Sequence, residues 1–383
     1  MNILFNLSVC QPEGGVQRHG GGIYGEIVLR RIIERHLPII CYYDAKRWIN
    51  PEIYNIIKEN GVQLYDINEH SLEHIVQTDA IDLLYSPLFI GLKGFSACQI
   101  LCTRHGLRGI ETPNDWFFFK YKSTFKRKIK LLRRFYLPNY LHAKFKKGMK
   151  SFVEQKNVSF VTVSNHSKYA LISYYPDYFK NKKIPVFYSP STLLSTSTIN
   201  HTQFDDKYFL LVSAGIGIKN NLRAIMAFDR LFSAELLKGY NVRVTGVNDA
   251  SKYRYKLQNP TRFSFMGYVE DDTLHQLYHD AYGFVYPSLN EGFGYPPVEA
   301  MSFGIPIAAS SFSSISEVCQ DAALYFNPFS VEEIMNRILQ LTDKETYELY
   351  KEKSHKRYQE VFLRQQKDLD GLIDYMYNFK VGK

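Results

Sequence analysis

The sequence predicts an α/β protein built on doubly wound parallel sheets. Short apolar strands alternate with amphipathic helices along the chain, and glycine-rich loops follow several of the strands. The first such unit is a strand at residues 2–9, a run with five glycines at 14–22 and a periodic helix at 23–33. A second strand, glycine loop and helix occupy 283–303, so the pattern recurs in both halves of the chain.

The remaining strands and the length together predict a domain division. A chain of 383 residues is long enough for two to three domains. We predict an N-terminal Rossmann-like domain at 1–190, a Ser/Thr-rich linker at 191–201 and a second Rossmann-like domain at 202–362. A C-terminal helix follows at 363–383, and the sequence leaves open whether it returns to the first domain. The predicted strands lie at 2–9, 39–43, 62–65, 80–86, 99–103, 160–164, 184–188, 208–213, 242–246, 262–268, 283–286 and 306–309.

Composition and charge narrow the class of protein. Apolar residues make up 45% of the chain, which is enough for buried cores, and the net charge of +9 indicates an anionic partner such as a nucleotide, a membrane surface or a nucleic acid. The five cysteines match no zinc-site spacing. The apolar N-terminus lacks the basic start of a signal peptide, and no run reaches the eighteen apolar residues of a membrane span. We therefore expect a cytoplasmic protein.

The strongest local signal is a glycine and proline run between two glutamates. Gly292, Gly294 and the prolines that follow cannot continue a helix from Glu291, so Glu291 lies on a loop. Pro297 suits a helix start, which places Glu299 on the helix. Amide donors and the positive end of the dipole at such a start favour a phosphate, and the carboxylates would bind hydroxyls. The alternative is a strand-to-helix turn whose glutamates are solvated.

This run resembles a family signature. The stretch EGFGYPPVEAMSFGIP is similar, without a gap, to the motif of retaining glycosyltransferases of family 4, the glycosyl transferases group 1. The resemblance implies the GT-B fold, two Rossmann-like domains facing across a cleft. It also implies transfer of a hexose from GDP-mannose or a UDP-hexose to a hydroxyl of a glycan or lipid-linked acceptor in surface polysaccharide synthesis. Anomeric configuration would be retained, and no cofactor or metal would be required.

The resemblance also assigns roles to residues. Glu291 would bind hydroxyls of the donor sugar, His105 would contact the sugar from the other domain, and Lys219 would stabilise the diphosphate as it leaves. These three form the predicted catalytic set. The glycine loop after the first strand would border the diphosphate, with Gly21 among its residues. The predicted donor-binding set is Glu299, Gly292, Phe293, Gly294, Asn220, Arg223, Tyr268, Val269, Gly15 and Arg18.

Two positions depart from the family pattern. The family places a basic residue shortly before the Lys219-Asn220 pair, but Ile216 and Ile218 stand there in this chain. Arg223 or Arg18 is expected to supply the second cation. The family also often follows the histidine with an aspartate, and this chain has Gly106.

Residues 117–150 are strongly basic and contain no acidic side chain. Aromatic and aliphatic residues alternate with the lysines and arginines, a pattern that suits an anionic membrane surface or RNA. A solvated helix face is the alternative. No nucleic acid partner is expected from the family resemblance.

Two other functions stay open on the sequence alone. A non-catalytic nucleotide-sugar or glycan-binding protein could have the same fold. A glycoside hydrolase would also use two carboxylates, although it would have no use for Lys219 and a glycine-opened helix.

Overall fold

A computed structural model of the chain describes residues 1–12, 19–88, 90–121, 124–192 and 206–379. The chain divides into two compact units. Unit 1 comprises Met1–Leu107, Phe145–Thr192 and Leu363–Lys383, and unit 2 comprises Arg108–Lys144 and Leu193–Phe362. Gly15, Arg18 and most of the predicted linker lie outside the described residues.

Each unit contains a sheet whose strands are all parallel. The strands are β1 (Ile3–Asn6), β2 (Ile40–Tyr43), β3 (Gln63–Asp66), β4 (Leu83–Ser86), β5 (Gln99–Arg104), β6 (Val158–Thr162), β7 (Lys207–Leu211), β8 (Tyr240–Val244), β9 (Phe263–Phe265), β10 (Gly283–Tyr286), β11 (Ile307–Ser310) and β12 (Ala323–Phe326). The α-helices are α1 (Gly20–Glu34), α2 (Pro51–Glu59), α3 (Leu72–Thr78), α4 (Arg108–Glu111), α5 (Phe125–Tyr136), α6 (Pro138–Val153), α7 (Asn165–Tyr174), α8 (Pro176–Phe179), α9 (Asn221–Ser233), α10 (Asp271–His279), α11 (Tyr295–Ser302), α12 (Ile315–Cys319), α13 (Val331–Thr342) and α14 (Lys344–Tyr377).

The sheet of unit 1 has the order β3-β2-β1-β4-β5-β6 among the described residues. The central strands β1 and β4 are buried along their whole length, as expected for strands covered on both faces. The predicted strand at 184–188 forms only a single bridge, between Thr162 and Val186. Pro185 lies in that stretch and has no amide hydrogen, so it cannot donate to a continuous ladder.

Close packing explains the glycines that open α1. A Cβ on Gly22 would lie 2.5 Å from the carbonyl oxygen of Cys10, and one on Gly21 would lie 2.6 Å from the side chain of Leu88. Both distances are shorter than van der Waals contact. These glycines therefore let the helix approach the loops that follow β1 and β4.

The sheet of unit 2 has the order β12-β11-β10-β7-β8-β9 among the described residues. The strand order reverses where β10 lies beside β7, which pair in parallel. The carboxyl ends of strands at such a reversal are where open α/β sheets bind ligands. The loops after β7 and β10 carry Lys219 and Glu291 respectively, so the sheet brings the two predicted catalytic residues to one edge.

Residues 108–144 follow a strand of unit 1 in sequence but belong to unit 2. The first part of this segment, residues 108–121, is called the strap here. Its anchor is Asp115, which accepts hydrogen bonds of 2.6 and 3.0 Å from both terminal nitrogens of Arg223 on α9. The ring of Phe117 stacks at 3.8 Å on the same guanidinium, and the Tyr121 hydroxyl accepts from the amide of Leu222. The division at residue 190 predicted from sequence therefore differs from the observed division.

The C-terminal region forms one long helix, and the predicted boundary at residue 363 lies inside it. α14 runs for 34 residues, from unit 2 into unit 1, and no glycine or proline interrupts it before Gly371. Within unit 1, Asp370 pairs with Arg31 at 2.9 Å, and Gln365 donates to the carbonyl of Ser189. A Cβ on Gly371 would lie 3.3 Å from the ring of Phe187, so a glycine at this point allows close packing.

Candidate active site

Glu291 is the centre of a buried polar cluster in unit 2. Its Oε1 accepts three hydrogen bonds, from Lys219 Nζ at 2.8 Å, from the Tyr286 hydroxyl at 2.7 Å and from Ser288 Oγ at 2.5 Å. Lys219 Nζ also donates to the Tyr286 hydroxyl at 2.7 Å. An ammonium has three hydrogens, and these two bonds leave one for a ligand.

The second carboxylate oxygen of Glu291 faces Arg108. The distance from Arg108 Nη2 to Glu291 Oε2 is 3.7 Å, which is within ion-pair range but too long for a hydrogen bond. Burial would raise the pKa of Glu291, yet the charges of Lys219 and Arg108 and the hydrogen bonds from Lys219 and Ser288 outweigh burial and hold the pKa below its ordinary value. Glu291 is therefore ionised at neutral pH.

The loops that carry Lys219 and Glu291 are fixed by buried polar contacts. Asn220 lies in the left-handed region at φ 58°, and its side-chain amide donates to the carbonyls of Pro287 and Pro328 at 3.1 and 2.7 Å. The single hydroxyl hydrogen of Ser314 is shared between the carbonyls of Glu291 and Phe293, which lie 3.0 and 2.9 Å from its Oγ. The side chain of Asn220 thus holds the loops together, and its predicted contact with the donor stays a prediction.

Arg223 is engaged within the protein. Besides its two bonds to Asp115, it donates to Asn220 Oδ1 at 2.7 Å, and its side chain is buried. The sequence offered Arg223 as one source of the second cation beside Lys219. Its guanidinium instead links the strap to α9, and Arg108 is found beside Glu291 as a cation in addition to Lys219.

The glycine loop leads into α11 as the sequence predicts, but the helix begins at Tyr295, two residues earlier than expected. Gly294 is the N-cap residue at φ 105°, a conformation that favours glycine. Pro296 and Pro297 occupy the first turn and carry no amide hydrogen. Of the four residues from Gly294 to Pro297, two carry an amide hydrogen, fewer than at a proline-free helix start.

Glu299 lies on α11 near the buried hydroxyl of Tyr278. Burial and, next, the charge of Glu299 raise the pKa of Tyr278 well above its ordinary value. Tyr278 belongs to α10, so the carboxylate faces the neighbouring helix. The two other predicted residues of this region, Tyr268 and Val269, follow β9 on the loop that leads to α10, and the side chain of Tyr268 is exposed.

His105 lies in unit 1, directly after β5. Its Nε2 lies 2.9 Å from the carbonyl oxygen of Pro87, and because a carbonyl only accepts, Nε2 carries the hydrogen. Burial lowers the pKa of His105 to about 4, so the ring is neutral at physiological pH and Nδ1 is an acceptor. A neutral ring of this tautomer can accept a hydrogen bond from a sugar hydroxyl.

Two serines support His105. Ser164 caps α7 by accepting from the amide of Ser167 at 3.1 Å, and Ser167 Oγ donates to the carbonyl of His105 at 3.1 Å. Both serines are buried. They fix the backbone of the loop that carries the histidine.

Unit 1 also contains a cavity of about 540 Å³ at the carboxyl ends of β1 and β2. Asn6, Arg47 and His70 supply polar groups to its wall, and Tyr42 and Leu92 supply apolar surface. Mixed walls of this kind suit a sugar, which offers both hydroxyls and apolar ring faces.

The sequence did not single out four residues of these sites. Tyr286 and Ser288 lie five and three residues before Glu291, and their place at the end of a predicted strand was a usable signal. Arg108 and Asp115 are remote in sequence from Glu291 and Arg223, and no local pattern points to their pairing. Within the described ranges, no three metal-ligating side chains cluster, and no helix has the length and apolar character to cross a bilayer.

Comparison with known proteins identifies the second half of the chain. Residues 197–360 match the family model described as Glycosyl transferases group 1. The O-antigen chain mannosyltransferase B of Escherichia coli is 49% identical over 76 residues, which cover 20% of this chain and 20% of that protein. The serotype-specific mannosyltransferase WbdA of Escherichia coli is 33% identical over 156 residues, 37% of this chain and 19% of that protein. The matches thus span about a fifth of each relative.

In fold, the chain resembles a solved glycosyltransferase of Rickettsia africae, with a TM-score of 0.63 at 15% identity over 98% of this chain and 99% of that one. Alr3699/HepE of Anabaena, solved in complex with UDP-glucose, aligns with a TM-score of 0.62 at 15% identity and covers 98% of this chain and 100% of that one. This likeness and the two six-stranded parallel sheets of the described residues confirm the predicted GT-B fold class. Residues 197–360 thus resemble the glycosyl transferases group 1, the same family whose motif the sequence at 291–306 resembles.

Proposed function

We propose that the protein is a retaining glycosyltransferase that moves mannose from GDP-mannose to a hydroxyl of a glycan or lipid-linked acceptor during synthesis of a surface polysaccharide. The observation that carries the proposal is the buried Lys219–Glu291 pair at the strand reversal of a group 1 domain. The names of the two mannosyltransferase relatives support mannose as the sugar. A UDP-hexose is the second candidate donor, because a structural neighbour was solved with UDP-glucose.

The proposed chemistry assigns separate tasks to the charged groups. Departure of a nucleoside diphosphate develops negative charge, which Lys219, the amides of the Gly292–Gly294 loop and the positive end of α11 stabilise. Glu291 binds hydroxyls of the donor sugar through Oε2, because its Oε1 already accepts three hydrogen bonds. Glu299 binds the ribose, and His105 accepts a hydrogen bond from the sugar. No side chain serves as a nucleophile in this scheme.

The acceptor belongs to unit 1 in this proposal. The cavity beside Asn6 and Tyr42 is large enough for a monosaccharide unit and combines polar with apolar walls. We expect it to hold the sugar of the glycan that receives the mannose.

We also propose that the protein works on the inner face of the plasma membrane. α5 has no buried residue, and its Phe125 and Tyr136 are 77% and 72% exposed. The same helix carries several exposed lysines and arginines, and anionic lipid head groups attract such a surface. A lipid-linked acceptor would be found at the same membrane.

Donor turnover tests the proposed function. Purified protein is incubated with GDP-mannose, UDP-glucose or UDP-galactose and a membrane extract containing lipid-linked glycans, and release of GDP or UDP is measured together with sugar transfer. We expect GDP release and mannose transfer, both lost in Lys219→Met. Hydrolysis of free oligosaccharide without a nucleotide sugar, or tight nucleotide binding with no transfer in any mixture, would contradict the proposal.

Sedimentation with vesicles tests the membrane proposal. Lys126, Arg127, Lys130 and Arg133 are exposed on α5 and are changed together to glutamine. Arg134 is kept, because it donates to the carbonyl of Thr112 and to Asn114 within the protein. We expect the wild type to sediment with phosphatidylglycerol vesicles and the variant to stay in the supernatant. Equal sedimentation of both proteins would contradict the membrane role of α5.

A further inference from the structure

Arg108 is placed to act on a ligand of the Lys219–Glu291 cluster. Its side chain is 56% exposed, whereas those of Lys219 and Glu291 are 13% and 8% exposed. The guanidinium thus stands at the solvent side of a buried ion pair. At 3.7 Å from Glu291 Oε2 it makes no direct hydrogen bond to that oxygen, so its donors can turn to an incoming group.

The charges of the cluster favour an anion. Lys219 and Arg108 contribute two positive charges and Glu291 one negative charge, which leaves a net charge of +1. The pKa of Glu291 lies below its ordinary value despite burial, so the carboxylate does not neutralise itself by taking up a proton. A phosphate that enters between the two cations gains charge-assisted hydrogen bonds from both.

We infer that Arg108 is the second cation of the donor site and, with Lys219, binds the β-phosphate of the nucleoside diphosphate. This inference rests on the proposed function, in which Glu291 binds the sugar. The sugar is esterified to the β-phosphate, so cations beside the carboxylate that binds the sugar face that phosphate. Ile216 and Ile218 stand where the sequence lacks the expected basic residue, and Arg108 supplies the missing charge from the strap.

The strap positions Arg108. Seven residues after Arg108, Asp115 forms the buried bidentate pair with Arg223, and the Phe117 ring covers the same guanidinium. A Cβ on Gly217, two residues before Lys219, would lie 3.1 Å from the Phe118 ring, so the strap also packs on the loop that carries Lys219. Asp115 is therefore a positioning residue for Arg108.

Calorimetric titration tests the inference. GDP, UDP, dTDP and ADP are titrated into the wild type, and the one that binds most tightly is compared with its monophosphate in each variant. We expect Arg108→Ala to weaken diphosphate binding about ten-fold or more, the size expected for loss of a hydrogen bond between charged groups, and to change monophosphate binding less than two-fold. The diphosphate affinity of Arg108→Lys should lie between those of the wild type and Arg108→Ala, because a lysine keeps the charge but cannot form a bidentate hydrogen bond.

Arg230→Ala is the matched control. Arg230 is also about half exposed, but it lies in the last turn of α9, at the end of the helix away from Lys219, and pairs with Glu332. Its removal should leave diphosphate binding unchanged. Unchanged diphosphate binding in Arg108→Ala, or equal weakening of diphosphate and monophosphate, would overturn the inference while the proposed function stands. Failure of the wild type to bind any of the four diphosphates would overturn both.

A double-mutant cycle tests the role of Asp115. Asp115→Asn should weaken diphosphate binding in the wild type and should have no further effect in the Arg108→Ala background, because it acts through Arg108. Additive effects in the two backgrounds would show that Asp115 does not position Arg108. The melting temperature of each variant is recorded to confirm that it is folded.

Discussion

Glu291 can offer a substrate only one of its two oxygens. Its Oε1 accepts from Lys219, Tyr286 and Ser288, which more than fills the lone pairs in the carboxylate plane. Burial and then the charge of Glu291 raise the pKa of Tyr286 well above its ordinary value, so the tyrosine stays a donor. The cluster thus fixes the carboxylate and leaves Oε2 to bind a ligand.

Replacing Glu291 by glutamine keeps the size of the side chain and removes its charge. We expect kcat for sugar transfer to fall on the order of a hundred-fold, comparable to the loss of one preorganised polar contact in other enzymes. The Kd for nucleoside diphosphate should change far less, because the carboxylate binds the sugar in this account. Steady-state kinetics and titration measure the two quantities.

Glu348→Gln is the control, since Glu348 is an exposed glutamate on α14. It should leave both quantities unchanged. A Glu291→Gln enzyme with unaltered turnover would remove Glu291 from the mechanism.

His105 should make stability depend on pH. The folded protein holds the ring neutral down to a pKa of about 4, mainly because the ring is buried, whereas the unfolded chain protonates it near 6.5. Between these two values the unfolded state binds more protons, so this residue lowers the free energy of unfolding as the pH falls. We expect the free energy of unfolding to fall by on the order of 2 kcal/mol from pH 6.5 to 4, less than the full shift in pKa would give, because the buried ring belongs to a residue that keeps some exposed surface.

Urea denaturation at several pH values measures this effect. The His105→Gln variant should lose less stability than the wild type over the same interval, and a variant of the exposed His74 should behave like the wild type. Parallel curves for His105→Gln and the wild type would show that the histidine is not held neutral.

At the scale of elements, the strap is the feature that local sequence patterns do not reveal. In the sequence, Asp115 and Phe117 lie in the connection between two strands of unit 1, β5 and β6. In the structure, they pack on α9 of unit 2. Nothing near Asp115 in the sequence indicates Arg223 as its partner, because the pairing is set by tertiary structure. The same is true of Arg108 and Glu291.

Breaking the strap anchor should destabilise the protein. Asp115→Ala leaves the buried guanidinium of Arg223 without its carboxylate, and we expect the free energy of unfolding to fall by about 3–5 kcal/mol. The double variant Asp115→Leu with Arg223→Met removes both charges and should recover most of that loss. Chemical denaturation measures both. A single variant as stable as the wild type would mean that the pair does not hold the strap.

The start of α11 could be predicted from local sequence rules, but its capacity to bind an anion could not. Glycine at the N-cap position and prolines in the first turn were readable from sequence, and the helix was predicted within two residues of its observed start. The prolines also reduce the number of amide donors available to an anion, which was not recognised from the sequence. Pro296 and Pro297 lie inside the first turn and have no amide hydrogen to donate to a phosphate. In this account, the loop amides from Gly292 onward and Lys219 therefore provide more of the stabilisation of the diphosphate.

At the scale of the whole molecule, the fold class followed from the sequence, but the division into units did not. The alternation of apolar strands and helices predicted two parallel sheets, and both are present in the described residues. The predicted boundary at residue 190 does not account for residues 108–144, which belong to unit 2, and the sequence left open the return of residues 363 onward to unit 1. Both depend on which surface a helix packs against, and amphipathic patterns do not specify that surface.

The pairing of Lys219 with Glu291 could be anticipated because each follows a strand of the same parallel sheet. The order β10 beside β7 then brings the two loops together. Tyr286 and Ser288 could have been found by asking which side chains end the same strand. The roles of Glu299, Tyr268, Val269, Gly15 and Arg18 remain predictions from the family resemblance.

The central claim is that a donor diphosphate binds between Lys219 and the Gly292 loop of unit 2. A crystal structure of the protein with its preferred nucleoside diphosphate tests this claim most directly. We predict the β-phosphate within hydrogen-bond distance of Lys219 Nζ and at the start of α11, with Glu291 Oε2 facing the position of the sugar. A nucleotide bound elsewhere, with no phosphate at Lys219 Nζ and none at the Gly292 loop, would contradict the account.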